Sequence, residues 1–401
     1  MPTPVHRLNK ASTQAVVIGS GDHDVRAIFW RSDPDVTDPS EHFPGTAEQR
    51  NWLADRGSRF RAVWDRAQKR YCQHQKSWTI DAGEEGEVVF VGGINLHASS
   101  VVAPGHTARD IGNTHDVYVE VVGPSATDVH HNFVQRWNEA SERQCEDGVW
   151  PEDSLHAVLA YPERVTPEAG EVAVQIQRTV RSGQYSDSTA TPGGESFAIG
   201  EGEYSTLEQY LSAIDGARST IYLEDQVIGA PQIVERLQAA CDRGIDVVFL
   251  VPTMMADMSR ARQDPRSQPF FEALATLGSS PNFTLAGIAA NRVGGGYQDI
   301  YVHAKIALVD DVWCTIGSTN IGNRSFYGDV ELNASFWHSE TARALRCALF
   351  SEHLDRDTSS LDTRAALQLF GRVARENAER RTRGEQLRGL AFELDAATYG
   401  N

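Results

Sequence analysis

Apolar positions follow two periods along this chain. Asp116–Val122 alternates apolar and polar residues and predicts a half-buried strand. Ser125–Cys145 sets Val129, Phe133, Val134 and Trp137 on one face at helical spacing, with Ser125 as the expected N-cap. From residue 205 onward the pattern is clearest. It predicts a helix over 205–217, a strand over 219–224, a helix over 231–243 stopped by Gly244, and a strand over 246–251. Strand, helix, strand in that order implies a parallel α/β unit. Further on, the pattern predicts a helix over 270–277, strands over 301–310 and 312–316, and a helix over 361–390. The mixed charges of that last helix point to a solvated face, its other side packing on the sheet.

Patterning in the first 165 residues is weaker. Strands are predicted over 24–30 and 60–64, with a proline-bearing loop over 33–47 and a helix over 46–59. Residues 77–80 and 88–91 flank the acidic turn Gly83-Glu84-Glu85-Gly86 and predict a hairpin. A polar loop follows over 97–114. Residues 162–203 are rich in Pro, Gly, Ser and Thr, with one strand over 172–180, and mark the connection between halves. The chain therefore divides into 1–165 and 166–401. Its length suits two domains or one duplicated unit.

The strongest signal is a doubled motif. Val302-His303-Ala304-Lys305, Asp310 and Gly317-Ser318-Thr319-Asn320 repeat the order of His74-Gln75-Lys76, Asp81 and Gly92-Gly93-Ile94-Asn95. The chain has only four lysines against 33 arginines, and two of those lysines follow a histidine at +2. Chance would supply about 0.13 such pairs, and here both copies also carry Asp five residues later. An ammonium is a compact point charge suited to a phosphate oxygen.

Net charge is −18 and the pI about 5.1, which argues against a general nucleic-acid coat but allows a local basic pocket. Five scattered cysteines without a C-x-x-C pair indicate neither a disulfide framework nor a zinc site. No apolar run spans a membrane and no signal peptide is visible, so a cytoplasmic protein with peripheral membrane contact is expected. Met254, Met255 and Met258 form an apolar patch suited to core filling or to an acyl chain. His97, His106 and His115 lie in or beside the loop after the first motif, within reach of a substrate head group.

Two histidines and two lysines suit phosphodiester cleavage through a covalent intermediate. One His attacks phosphorus; the other protonates the leaving alcohol and then activates the acceptor. The residues alone do not say which is which. Lysines and Asn side chains would hold the phosphate oxygens, and no metal or other cofactor is required.

The motifs and their surroundings resemble the phospholipase D superfamily, the HKD phosphodiesterases. The resemblance rests on Ile300–Lys305, Ile316–Ser325, Gly92–Leu96, His115–Val117, Phe133–Trp137 and Ile221–Gln226, and covers residues 24 to at least 336. It implies an α/β fold of two similar halves packed about a pseudo-two-fold axis. By that resemblance His74 is the nucleophile and His303 the general acid/base. Lys76, Lys305, Asn95, Asn320 and Ser318 bind phosphate. Asp116 from the first half and Glu331 from the second orient the histidines, and Asp81 and Asp310 complete the catalytic set. The expected substrate is a phospholipid at a membrane surface, its head group hydrolysed or exchanged, with no nucleic-acid partner. The alternatives are another diester or nucleic acid as substrate, or a catalytically impaired scaffold. A cardiolipin-synthase-like transferase lacks support from any membrane-spanning segment. Aligning the halves on their motifs leaves too few residues before Asp24 for a strand and a helix matching 219–243, so the first half is expected to lack that opening unit.

Overall fold

The computed structural model describes residues 73–95, 100, 102–106, 113–139 and 158–401, and the backbone of two further strands. These are β1 (Arg26–Trp30) and β2 (Arg61–Asp65), paired in parallel. The helix expected over 46–59, the missing unit before Asp24 and His97 lie outside the described residues.

The rest of the first half is an antiparallel meander of β3 (Ser77–Ile80), β4 (Val88–Gly92) and β5 (Tyr118–Val122), with α1 (Pro124–Asn138) packed on it. The β3–β4 hairpin forms as its flanking β-branched residues predict. Helix α1 differs at its start: Gly123 caps it, Pro124 fills the first turn, and the Ser125 hydroxyl donates to Val174 O at 3.1 Å. Proline at this position is preorganised and its missing N–H costs nothing there, which displaces the expected serine cap.

The second half is built on one ten-stranded sheet. Its elements in chain order begin with β6 (Ala173–Val180), β7 (Glu203–Tyr204), α2 (Ser205–Gly216), β8 (Thr220–Glu224), the short β9 (Ile228–Gly229), α3 (Pro231–Asp242) and β10 (Asp246–Leu250). There follow α4 (Ala256–Arg262), α5 (Gln268–Gly278), β11 (Phe283–Asn291), β12 (Tyr297–Ile300), β13 (Ile306–Val309), β14 (Trp313–Gly317) and the short β15 (Ile321–Gly322). The chain closes with α6 (Asn323–Tyr327), β16 (Glu331–Trp337), α7 (Ser339–Leu354), α8 (Thr363–Thr382) and β17 (Ala391–Glu393). Strands β8, β10 and β11 run parallel, as the strand–helix–strand order predicts, while β13, β14, β16 and β6 add on antiparallel. The parallel pairing of β1 with β2 repeats that of β10 with β11, and the β3–β4–β5 meander repeats β13–β14–β16.

Three expectations change. The strand expected over 301–310 forms only over β13 (Ile306–Val309), and residues 301–305, between β12 and β13, leave the sheet to meet the other half. The helix expected to run to 390 ends at Thr382, with Gly384 in the left-handed region. Strands β11 and β16 and helix α7 are additions. Both strands are buried along nearly their whole length, so they show no alternation for a sequence reading to catch.

The two sheets pack face to face. Val89, Val91 and Val121 of the first half meet Leu332 and Ala334 of β16 in one apolar cluster. This interface carries both motifs to one place. Of the three methionines, Met258 is core, Met255 packs partly against the core, and Met254 is exposed.

Candidate active site

Each His-x-Lys segment precedes the first strand of its meander, and each predicted carboxylate stands at or just before the third. The halves are stitched at these points, not within themselves. Gln73 bridges Val330, and Val302 bridges His115, both in parallel. His74 N donates to Val330 O at 2.9 Å, and His115 N donates to Tyr301 O at 2.9 Å. His303 N returns a bond to His115 O at 2.8 Å. The backbone thus sets each histidine beside the carboxylate of the opposite half.

The side chains follow. His74 Nδ1 lies 3.0 Å from both oxygens of Glu331, and His303 Nδ1 lies 2.6 Å from Asp116 Oδ2. A carboxylate on Nδ1 fixes the tautomer and leaves Nε2 for chemistry. The pairs are supported differently. Glu331 is fully buried and also accepts from Ser318 Oγ and Ser325 Oγ, both at 2.5 Å. Asp116 sits against Gly93, where any Cβ would collide with the carboxylate. Gly317, at the equivalent turn, has no room for a Cβ beside Asn333.

Lys76 and Lys305 are buried, and each donates from Nζ to the carbonyl of its own histidine. Burial is the main force lowering both histidines, His74 well below its ordinary value and His303 to about 3, and the two lysines add to it at each ring. Burial also lowers Lys305 and pushes the Glu331 carboxyl up to about 7. Each ring thus feels both lysines, which makes the cluster one site. Both imidazoles are biased toward the neutral form beside the two lysines. A phosphodiester would offset that charge and raise both rings.

Asn320 is 9% exposed, and its Oδ1 is buried with no hydrogen-bond partner among the described residues. Asn95 lies in the equivalent turn after β4. Ser318, expected on the phosphate, is fully buried and serves Glu331 instead. Asp81 and Asp310, expected among the catalytic groups, lie beyond the far ends of β3 and β13, each separated from its histidine by a four-residue strand about 13 Å long. Both adopt the left-handed turn conformation that Asp tolerates. Asp310 accepts from the backbone N–H groups of Arg218, Ser219 and Thr220 at 2.7–2.8 Å, anchoring the start of β8. Asp310→Ala is therefore expected to cost about 1–2 kcal/mol of stability with turnover nearly unchanged, checked by chemical denaturation alongside an activity assay.

His106 and His115, expected near a head group, are buried and turned inward: His115 Nε2 lies 2.8 Å from Glu224 Oε2. Sequence reasoning missed several supporting residues. Gln75 Nε2 donates to Glu331 O at 3.0 Å, while its Oε1 accepts from Asn132 and Arg136 of α1. Gln226 Oε1 lies 3.4 Å from Lys305 Nζ. Fully buried Asp225 accepts from Val227 N and Ile321 N, and burial raises it to about 8. The run Ile221–Gln226 carried a signal for these last two, because β8 ends at Glu224, just before them.

Comparison with known proteins agrees with this geometry. The family model described as "Cardiolipin synthase, PLD-like domain" matches residues 210–353, and that described as "Phospholipase D" matches residues 102–256. Cardiolipin synthase 2 of Staphylococcus epidermidis is 24% identical over 283 residues, 70% of this chain and 47% of the relative. Cardiolipin synthase of Staphylococcus aureus is 23% identical, covering 70% of this chain and 46% of the relative. The chain thus spans about half the length of the curated relatives it matches. Among solved structures, phosphatidylserine synthase of Haemophilus influenzae superposes over 96% of this chain and 79% of its own, with a TM-score of 0.52 at 13% identity. The fold, both family models and these relatives agree, and the chain belongs to the phospholipase D superfamily.

Proposed function

We propose that the protein is a phosphodiesterase that cleaves phospholipid head-group esters through a phosphohistidine and passes the phosphatidyl group to an alcohol or to water. The observation that carries this reading is the crossed pairing of His74 with Glu331 and of His303 with Asp116 around two buried lysines. The proposal takes residues 1–165 and 166–401 as the two cooperating halves. His74 Nε2 attacks phosphorus, helped by Glu331 on Nδ1. His303 Nε2, protonated once the diester anion has entered, gives its proton to the departing alkoxide as the P–O bond breaks. It then takes a proton from the incoming alcohol or water as that oxygen displaces His74. Lys76, Lys305, Asn95 and Asn320 hold the non-bridging oxygens.

The relatives' names, cardiolipin synthases, support transfer to an alcohol over simple hydrolysis. Among the described residues no helix is long and apolar enough to cross a membrane. Tyr301, 37% exposed with its ring 6.3 Å from that of His303, gives the site an apolar flank suited to lipid at a membrane surface. The test is incubation with phosphatidylglycerol, phosphatidylcholine, phosphatidylethanolamine or single-stranded DNA, with and without ethanol. Lipid head-group release together with phosphatidylethanol is expected; cleavage confined to DNA would sink the proposal.

The pH profile offers a second check. Glu331 must be ionised to accept the His74 proton, and its carboxyl is pushed up to about 7. Activity is therefore expected to rise with pH through about 7 as Glu331 loses its proton. Glu331→Gln is expected to remove that limb and lower kcat by at least about 100-fold. An unchanged acid limb in the variant would exclude Glu331 as its source.

A further inference from the structure

Next to the phosphodiester site, but facing away from it, lies a second cluster that the mechanism does not use. His106, His115 and Glu352 each offer one ligand atom, all within 4.8 Å of one another. Glu352 Oε1 stands 3.7 Å from His115 Nδ1 and 3.9 Å from His106 Nε2. These separations are too long for hydrogen bonds. They are within a few tenths of an ångström of the spacing, about 3.4 Å, between two ligand atoms on one tetrahedral zinc ion. We propose that His106, His115 and Glu352 form a binding site for a zinc-class divalent metal.

Three features of the surroundings fit a metal better than a packing accident. First, His115 can ligate through Nδ1 only if Nε2 carries the proton. Nε2 lies 2.8 Å from Glu224 Oε2, the carboxylate–histidine arrangement that fixes a ligand's tautomer. Second, Glu224 is itself held: Tyr222 OH donates to its Oε1 at 2.7 Å, and His353 Nε2 lies 3.1 Å from the same oxygen. The second shell is thus in place and fully buried. Third, a cavity of about 900 Å³, lined in part by Gly105, Glu352 and Arg388, reaches Glu352. It gives an ion a way in and room for water in the fourth position. Two imidazoles and one carboxylate suit zinc, and they also suit cobalt as a spectroscopic substitute.

The site's position suggests what the ion does. It joins the 102–106 loop to the C-terminal turn of α7 and grips His115, whose backbone bonds the His303 segment and whose neighbour Asp116 orients the His303 ring. The metal takes no part in the phosphoryl chemistry; it fixes the strap that carries the partner of His303.

The full chain, stripped with chelator and returned to Zn²⁺ alone, is expected to retain one equivalent after gel filtration and to melt at a higher temperature than the stripped form. Co²⁺ in its place is expected to give the intense visible bands of tetrahedral coordination. His106→Gln and Glu352→Gln are each expected to lose the retained metal and the melting shift, with far-ultraviolet circular dichroism unchanged in the stripped state. Wild-type protein that retains no zinc and shows no melting shift would overturn the proposal. So would variants that retain zinc as well as wild type does. The Co²⁺ spectrum of unaltered protein guards against a variant that misfolds: weak octahedral bands alone would also overturn it.

Discussion

His74→Ala is expected to lower turnover of a phosphatidyl substrate by at least about 10⁴-fold, because it removes the atom that forms the covalent bond. Loss of the nucleophile leaves water as the attacker, with only the lysines and amides to stabilise the transition state. The loss is expected to be equally deep for a substrate with an activated leaving group, since no leaving group restores the missing bond. Structural damage is expected to be small. His74 is buried at 9% exposure, but its backbone N–H bond to Val330 O survives the substitution. A His74→Ala protein that unfolds at the wild-type denaturant midpoint and retains a hundredth of wild-type turnover would exclude His74 as nucleophile.

His303→Ala is expected to behave differently. Removing a general acid costs about 10²–10⁴-fold when the leaving group is a poor alkoxide. With a p-nitrophenyl diester the departing phenolate needs no proton, so the first step is expected to recover. The second step still needs His303 as base. The variant is therefore expected to release about one equivalent of nitrophenol in a burst and then stall. His74→Ala is expected to show no burst. The site gives the two histidines unequal supports, Glu331 held by two serine hydroxyls and Asp116 by the backbone N–H of Val117. It is this asymmetry that the two variants probe.

The sequence exposed the chemistry more clearly than the fold. His74, Lys76, His303 and Lys305 stood out because lysine is scarce in this chain and because both copies share one spacing. The second half's strand–helix–strand order was legible from its apolar periods, and β8 and β10 formed as that order required. What was hidden was whatever depends on the opposite half. Residues 301–305 carry the apolar pattern of a strand, yet they leave the sheet because Val302 bridges His115 of the other half. Crossing of the carboxylates was equally invisible, since nothing local to Asp116 says that its histidine lies 187 residues away. Ser318 looked like a phosphate ligand by its place in Gly-Ser-Thr-Asn, but burial turned it toward Glu331. Asp310 matched its motif for structural reasons: three backbone N–H groups at the start of β8 need an acceptor.

The same contrast explains why a net charge of −18 is compatible with phosphate chemistry. Within this site positive charge is concentrated by burial. Lys76 and Lys305 sit where little water screens them, and burial together with these lysines biases both histidines toward the neutral form. The charge elsewhere on the surface is screened and remote.

The most direct measurement is a rapid quench of enzyme with a phosphodiester under alkaline conditions, followed by mass mapping of the modified peptide. The account predicts an acid-labile phosphoryl adduct on His74 that accumulates in His303→Ala. An adduct on His303, or turnover in which neither histidine is ever modified, would contradict it.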